Sequence, residues 1–83
     1  MKAKIYVTPK DGILDPQGAV ASKTLISMGY KMVAGARVGK LIELTLNCHD
    51  RQEAAEKIAE MCDKLLVNSV IEEYNFEIFN TKI

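Results

Sequence analysis

The stretch that decides the fold is Ala36-Arg37-Val38-Gly39-Lys40-Leu41-Ile42-Glu43-Leu44-Thr45-Leu46. Every second residue gives Ala36, Val38, Lys40, Ile42, Leu44 and Leu46, and the set between them is Arg37, Gly39, Leu41, Glu43 and Thr45. A mostly apolar set alternating with a mostly polar one is the period of two that a half-buried strand requires. The run exceeds the usual strand length of about five or six residues. A two-residue hairpin at Gly39-Lys40 would set Val38 opposite Leu41, continue that face as Glu43 and Thr45, and throw Ile42, Leu44 and Leu46 to the other side. A continuous or gently bent strand keeps Val38, Ile42, Leu44 and Leu46 together, so parity favours it. A bulge at Gly39 would break the count.

Upstream, Ala3, Ile5 and Val7 alternate with Lys2, Lys4, Tyr6 and Thr8 to give a first strand. Pro9 stops it and Lys10-Asp11-Gly12 makes a turn. Asp15-Pro16 opens a helix, with Asp15 as N-cap and Pro16 at the first helical position. The helix should run to about Met28, burying Ala21, Leu25 and Met28 and turning Ser22 and Lys23 to solvent, with Gly29 as its left-handed terminator.

Downstream, Asn47-Cys48-His49 is a short link, and Asp50 with Glu53 three residues on starts a second helix as a capping-box variant. Ala54, Ala55, Ile58, Met61, Cys62 and Leu65 recur at helical spacing. Glu53–Lys57 and Glu60–Lys64 are spaced to pair on the wet face. After Asn68-Ser69, the apolar set Tyr74, Phe76 and Ile78 forms a last strand, and Asn80-Thr81-Lys82-Ile83 is expected to fray.

The order is β-α-β-α-β within the α+β class, with a long middle strand that is bent or split. A split would give the ferredoxin-like βαββαβ pattern. Both helices are expected on one face of an antiparallel sheet. Eleven strand residues reach about 36 Å at about 3.3 Å each, whereas thirteen helical residues cover only about 20 Å. Two helices of one chain leave part of the middle strand bare, so a dimer or higher even oligomer should complete the sheet.

Eighty-three residues make one small domain, 1–83, which buries only about 60–65% of the surface its unfolded form exposes and gains from assembly. Eleven basic and eleven acidic residues cancel, without the basic excess that nucleic acid or an anionic membrane attracts. The apolar runs are too short to span a bilayer, Met1 to Tyr6 lacks a signal-peptide core, and two cysteines suit a reducing compartment. The expectation is a cytoplasmic protein.

Cys48-His49 with Cys62 is the only soft-ligand group, and one histidine in the chain falls short of a four-ligand zinc site. A Cys48–His49 nucleophile pair lacks a third group to orient it. Glu72 and Glu73 adjoin a strand start, where neighbours point to opposite faces, and read as a solvated edge. Lys10-Asp11-Gly12 and Arg37-Val38-Gly39-Lys40 are basic glycine segments without the glycine spacing of a phosphate loop. Arg37 and Lys40 read better as edge or interface residues. Residue types and spacing alone point to a small oligomeric α+β module that binds something.

Lys4-Ile5-Tyr6-Val7-Thr8, then Gly12-Ile13-Leu14-Asp15-Pro16-Gln17-Gly18, resembles the start of the PurS family, the small subunit of phosphoribosylformylglycinamidine (FGAM) synthase. Arg37-Val38-Gly39-Lys40 with Ile42-Glu43-Leu44 is similar to its central signature. Glu60-Met61-Cys62-Asp63-Lys64-Leu65-Leu66-Val67-Asn68 and Ile71-Glu72-Glu73-Tyr74 are similar to its last third, with Ser69 at a place where proline is expected. The resemblance implies a non-catalytic subunit in the fourth step of de novo purine synthesis, without cofactor or metal of its own. It implies PurL and PurQ as partners: PurL binding ATP and the nucleotide substrate, PurQ hydrolysing glutamine, and ATP, Mg and glutamine used by the complex. Self-association as a dimer or tetramer is implied as well. The competing expectation is a regulatory module of ferredoxin-like type that binds a small molecule.

Overall fold

β1, Lys2–Pro9, is the central strand of the structure, and its alternation puts Ala3, Ile5 and Val7 on one face at no more than 1% exposure. The structure is a computed structural model and describes residues 1–80, so the expected tail lies outside the described residues beyond Asn80. β1 is flanked on both sides in a three-stranded antiparallel sheet of order β2-β1-β3. β2, Lys40–Thr45, pairs from Val7↔Lys40 to Lys2↔Thr45, and β3, Glu72–Phe79, from Pro9↔Glu72 to Lys2↔Phe79. Together with helices α1, Pro16–Ser27, and α2, Arg51–Met61, the order is the expected β-α-β-α-β.

α2 covers the apolar face of the sheet. Asp50 caps it by accepting from the Gln52 N–H at 3.0 Å, so the capping bond reaches the second helical residue rather than Glu53. Ala54, Ile58 and Cys62, spaced by four, are at most 2% exposed and close the core with Ala3, Ile5, Val7, Val67 and Ile78. Ile42, Leu44, Leu46, Tyr74 and Phe76 pack half-buried around them, on the face that parity assigned. On the wet side Lys64 donates to Glu60 at 2.9 Å, while Lys57 lies 3.7 Å from Glu60 rather than reaching Glu53.

Three expectations require correction. Leu65 was expected on the buried stripe, yet it is 83% exposed, and Met61 is 37% exposed. The helix widens into a π-helical turn over Cys62–Leu66. A π turn advances each hydrogen bond by one residue, so Val67 rather than Leu65 follows Cys62 into the core.

The middle strand is the second. Only Lys40–Thr45 is strand, and there is neither a hairpin at Gly39-Lys40 nor a ladder through Ala36. The reason is the partner: β1 ends at Pro9, and Val7↔Lys40 is the last pair. An alternating sequence needs a neighbour to become a strand: Thr8 and Pro9 still lie opposite Gly39 and Val38, but Pro9 has no N–H and the Val38 N–H is taken by Asp15, and residues 33–37 lie past the end of β1.

α1 is the third. Its ends are where the sequence put them: Asp15 caps the start, and Gly29 at φ +105° ends it. Gly29 donates to Ile26 O at 3.1 Å and Tyr30 to Leu25 O at 3.0 Å, the paired bonds of a Schellman terminator. The expected buried face is not buried, however, for Leu25 is 36% and Met28 65% exposed. α1 packs on none of the other described elements, so only α2 lies on the sheet. The chain's radius of gyration is 16.2 Å, against about 12 Å for a compact chain of this length.

Candidate functional site

Residues 10–39 form an arm that carries α1 and returns to the sheet at one end of β1. The carboxylate of Asp15 holds that junction. Its Oδ1 accepts from the Gly18 N–H at 3.0 Å, as an N-cap does. Its Oδ2 accepts from the Val38 N–H at 2.9 Å, which ties the first turn of α1 to the segment entering β2. The Gly18 and Val38 bonds, with the Arg37 charge beside them, hold the Asp15 carboxyl below its ordinary range.

Two glycines let the backbones come this close. A Cβ on Gly18 would collide with the Asp15 carboxylate and the Ala36 carbonyl oxygen. A Cβ on Gly39 would collide with the Val7 carbonyl oxygen. The returning segment therefore threads between the start of α1 and the end of β1, with no room for a side chain at either contact.

Arg37 and Lys40 sit at this junction and face carboxylates. Arg37 lies 3.9 Å from both Asp11 and Glu73, and Lys40 lies 4.0 Å from Glu72. Arg37 and Lys40 approach from the β2 side and Glu72 and Glu73 stand on β3, so the pairs cross the end of β1. Glu72 also accepts from the Asn68 N–H at 2.9 Å. These carboxylates, read from sequence as a solvated edge, are thus the counter-charges of the two singled-out cations. The signal was opposite charge alone, and the pairing needed the sheet order. Lys10 fastens the arm's base, donating from its backbone to Ile71 O at 2.9 Å and from Nζ to Ser69 O at 2.6 Å.

A cleft of about 180 Å³ opens at the junction, lined by Val7, Pro9, Gln17, Val38, Gly39, Lys40 and Glu72. A second, of about 170 Å³, lies beside α2 between Leu46, Asn47, Cys48, Glu53, Ala54, Lys57 and Met61. Both fall below the roughly 300–1,000 Å³ of ordinary small-molecule sites, so neither supports the regulatory-module reading. The fold does not bring Cys48-His49 and Cys62 together as a site. Cys62 is fully buried, Cys48 half-buried, and burial with Asp63 nearby pushes the Cys62 thiol up. Among the described residues, no three His, Cys, Asp or Glu side chains converge to hold a metal ion.

Fold and junction together define a class: a small α+β module whose charged groups fasten one part of the chain to another and leave a helix uncovered. Residues 2–80 match the family model described as "PurS: Phosphoribosylformylglycinamidine (FGAM) synthase". The chain belongs to the PurS family, the subunits of that synthase. It is 46% identical over 77 residues to the FGAM synthase subunit PurS of Bacillus subtilis, covering 93% of this chain and 90% of that one. The crystal structure of Methanocaldococcus jannaschii PurS superposes with a TM-score of 0.86 at 28% identity, covering 98% of each chain. A chain in the structure of PurLQS from Thermotoga maritima superposes at 0.83 with 32% identity, over 92% of this chain and 93% of that one.

Proposed function

We propose that this chain is the non-catalytic small subunit of FGAM synthase, required for the PurL synthetase and PurQ glutaminase to assemble and for ammonia to pass between them. The observation that carries this reading is the likeness, along nearly the whole chain, to a component of the Thermotoga maritima PurLQS structure. The complex rather than this chain uses ATP, Mg and glutamine, and it works in the cytoplasm. No helix of the described residues is long and apolar enough to cross a membrane.

Self-association belongs to the same reading, and surface area supports it. The chain exposes 6227 Å², about 1,300 Å² more than a compact monomer of its mass. That excess exceeds the roughly 800 Å² that each partner gives to a stable interface. Residues 33–37, which lie past the end of β1 and outside the ladder, are suited to pair with a second copy.

Arg37 and Lys40 serve in this reading as interface or channel residues, with their carboxylates setting their position. The test is reconstitution of glutamine-dependent synthesis from PurL and PurQ with and without this chain. Loss of coupling on omission is expected, and unchanged activity overturns the reading. Charge reversal at both Arg37 and Lys40 should weaken assembly or coupling, and unaltered coupling removes them from that role.

A further inference from the structure

We infer that α1 is helical only in the assembled protein, so that association and the folding of the arm are one event; this rests on the self-association proposed above. The first ground is intrinsic. Of the twelve residues of α1, Gly18, Val20, Ser22, Thr24, Ile26 and Ser27 are weak helix formers. The first turn has no acidic residue and the last no basic one, so apart from the Asp15 cap no side chain in either end turn answers the helix dipole. Isolated helices shorter than about 12–15 residues are marginal in water, and helices in proteins are held mainly by packing an apolar face.

The second ground is that α1 has no such packing. Val20 is 65%, Leu25 36%, Ile26 42% and Met28 65% exposed, and α1 touches no other described element. α2 is the internal contrast, with Ala54, Ile58 and Cys62 sunk into the sheet. What α1 does have is end-fixing: the Asp15 bracket at its start and the Schellman bonds at its finish. Those caps choose where a helix begins and stops once it forms. They do not supply the burial that keeps it formed.

The occupant is a second copy of this chain. The excess surface exceeds what each copy gives to a dimer, and residues 34–37, which continue from the arm towards β2, lie outside the strand ladder at the same place. The sheet and α2 fold around their own core in a single chain, and the apolar helix takes shape only when a copy arrives to cover it.

The experiment is amide hydrogen exchange over a dilution series of the full chain, with sedimentation velocity at each concentration. Sedimentation tests self-association, and exchange tests the present inference. Where single chains accumulate, exchange at Val20 and Leu25 should rise at least about tenfold, while Ile5 and Val7 in β1 keep their rates. Protection of α1 equal to that of β1 in single chains overturns the inference. Met32→Glu, at a residue 81% exposed and outside α1, supplies single chains should dilution not do so. Should that variant also stay assembled, mixing isotope-labelled and unlabelled protein gives the rate at which subunits swap. Exchange of α1 amides should keep pace with that swap, and exchange far slower than it overturns the inference.

Discussion

Oδ2 of Asp15 accepts a hydrogen bond from the Val38 N–H at 2.9 Å, across 23 positions of sequence. Local sequence assigns Asp15 one task, capping α1, and the fold gives it a second through its other oxygen. The bond matters because the ion pairs around it are weak. Arg37, Lys40, Asp11 and Glu73 are each about half or more exposed, and exposed pairs contribute only about 0–1 kcal/mol each.

Asp15→Asn should loosen the junction at neutral pH and flatten the acid limb of stability. The folded carboxyl titrates below the ordinary value because it accepts from Gly18 and Val38 and lies near Arg37. A depressed folded pKa contributes stability above the unfolded pKa and loses it as pH falls through the folded value. Urea midpoints of the two proteins should therefore differ most near neutrality and converge towards about pH 2. A constant gap across that range would assign the bond no role.

Gly39→Ala should destabilise by about 1–3 kcal/mol, the usual cost of forcing atoms into a filled space, because its Cβ meets the Val7 carbonyl oxygen. Gly35→Ala is the control. Nothing lies within 4 Å of a Cβ there, and its effect should stay within about 0.5 kcal/mol. Chemical denaturation of the pair separates close backbone approach from the general effect of replacing a glycine.

Ile58→Ala should cost about 2–5 kcal/mol, since Ile58 is 0% exposed at the centre of the α2–sheet contact. Leu65→Ala, which the helical periodicity ranks as a comparable loss, should be nearly neutral because the side chain is 83% exposed. Thermal melts of both variants test whether the π turn removes Leu65 from the core as described.

Thiol titration of the native protein should find one fast group and one slow group. Cys48 is half-buried, whereas Cys62 is fully buried with its thiol pushed up by burial and by Asp63, and the thiolate is the reactive form. Cys48→Ser should remove the fast phase, and denaturant should make Cys62 react quickly.

Much of the fold was legible because it is written locally. Asp15, Pro16 and Gly29 mark both ends of α1 by capping chemistry that needs only neighbours in sequence. The alternation of Ala3, Ile5 and Val7, and of Tyr74, Phe76 and Ile78, named the inner face of two strands. The candidate site was legible only in part. Arg37 and Lys40 stood out as cations beside a glycine, but their partners Glu72 and Glu73 lie across the end of β1, a distance only the sheet order closes.

The long central run shows where sequence stops and tertiary structure begins. By itself the sequence determined which residues of Ala36–Leu46 share a face, because side-chain alternation is a property of any extended backbone. It also determined the helix caps, the β-α-β-α-β order and, through the quoted blocks, the family. Only the tertiary structure decided that strand pairing begins at Lys40, because hydrogen bonds need a partner, Pro9 opposite Val38 has no N–H, and the Val38 N–H is taken by Asp15. It also decided that α1 stands clear of the sheet and that a π turn carries Leu65 into solvent. Burial and pairing belong to two surfaces at once, and a sequence read along one strand or helix contains only one of them.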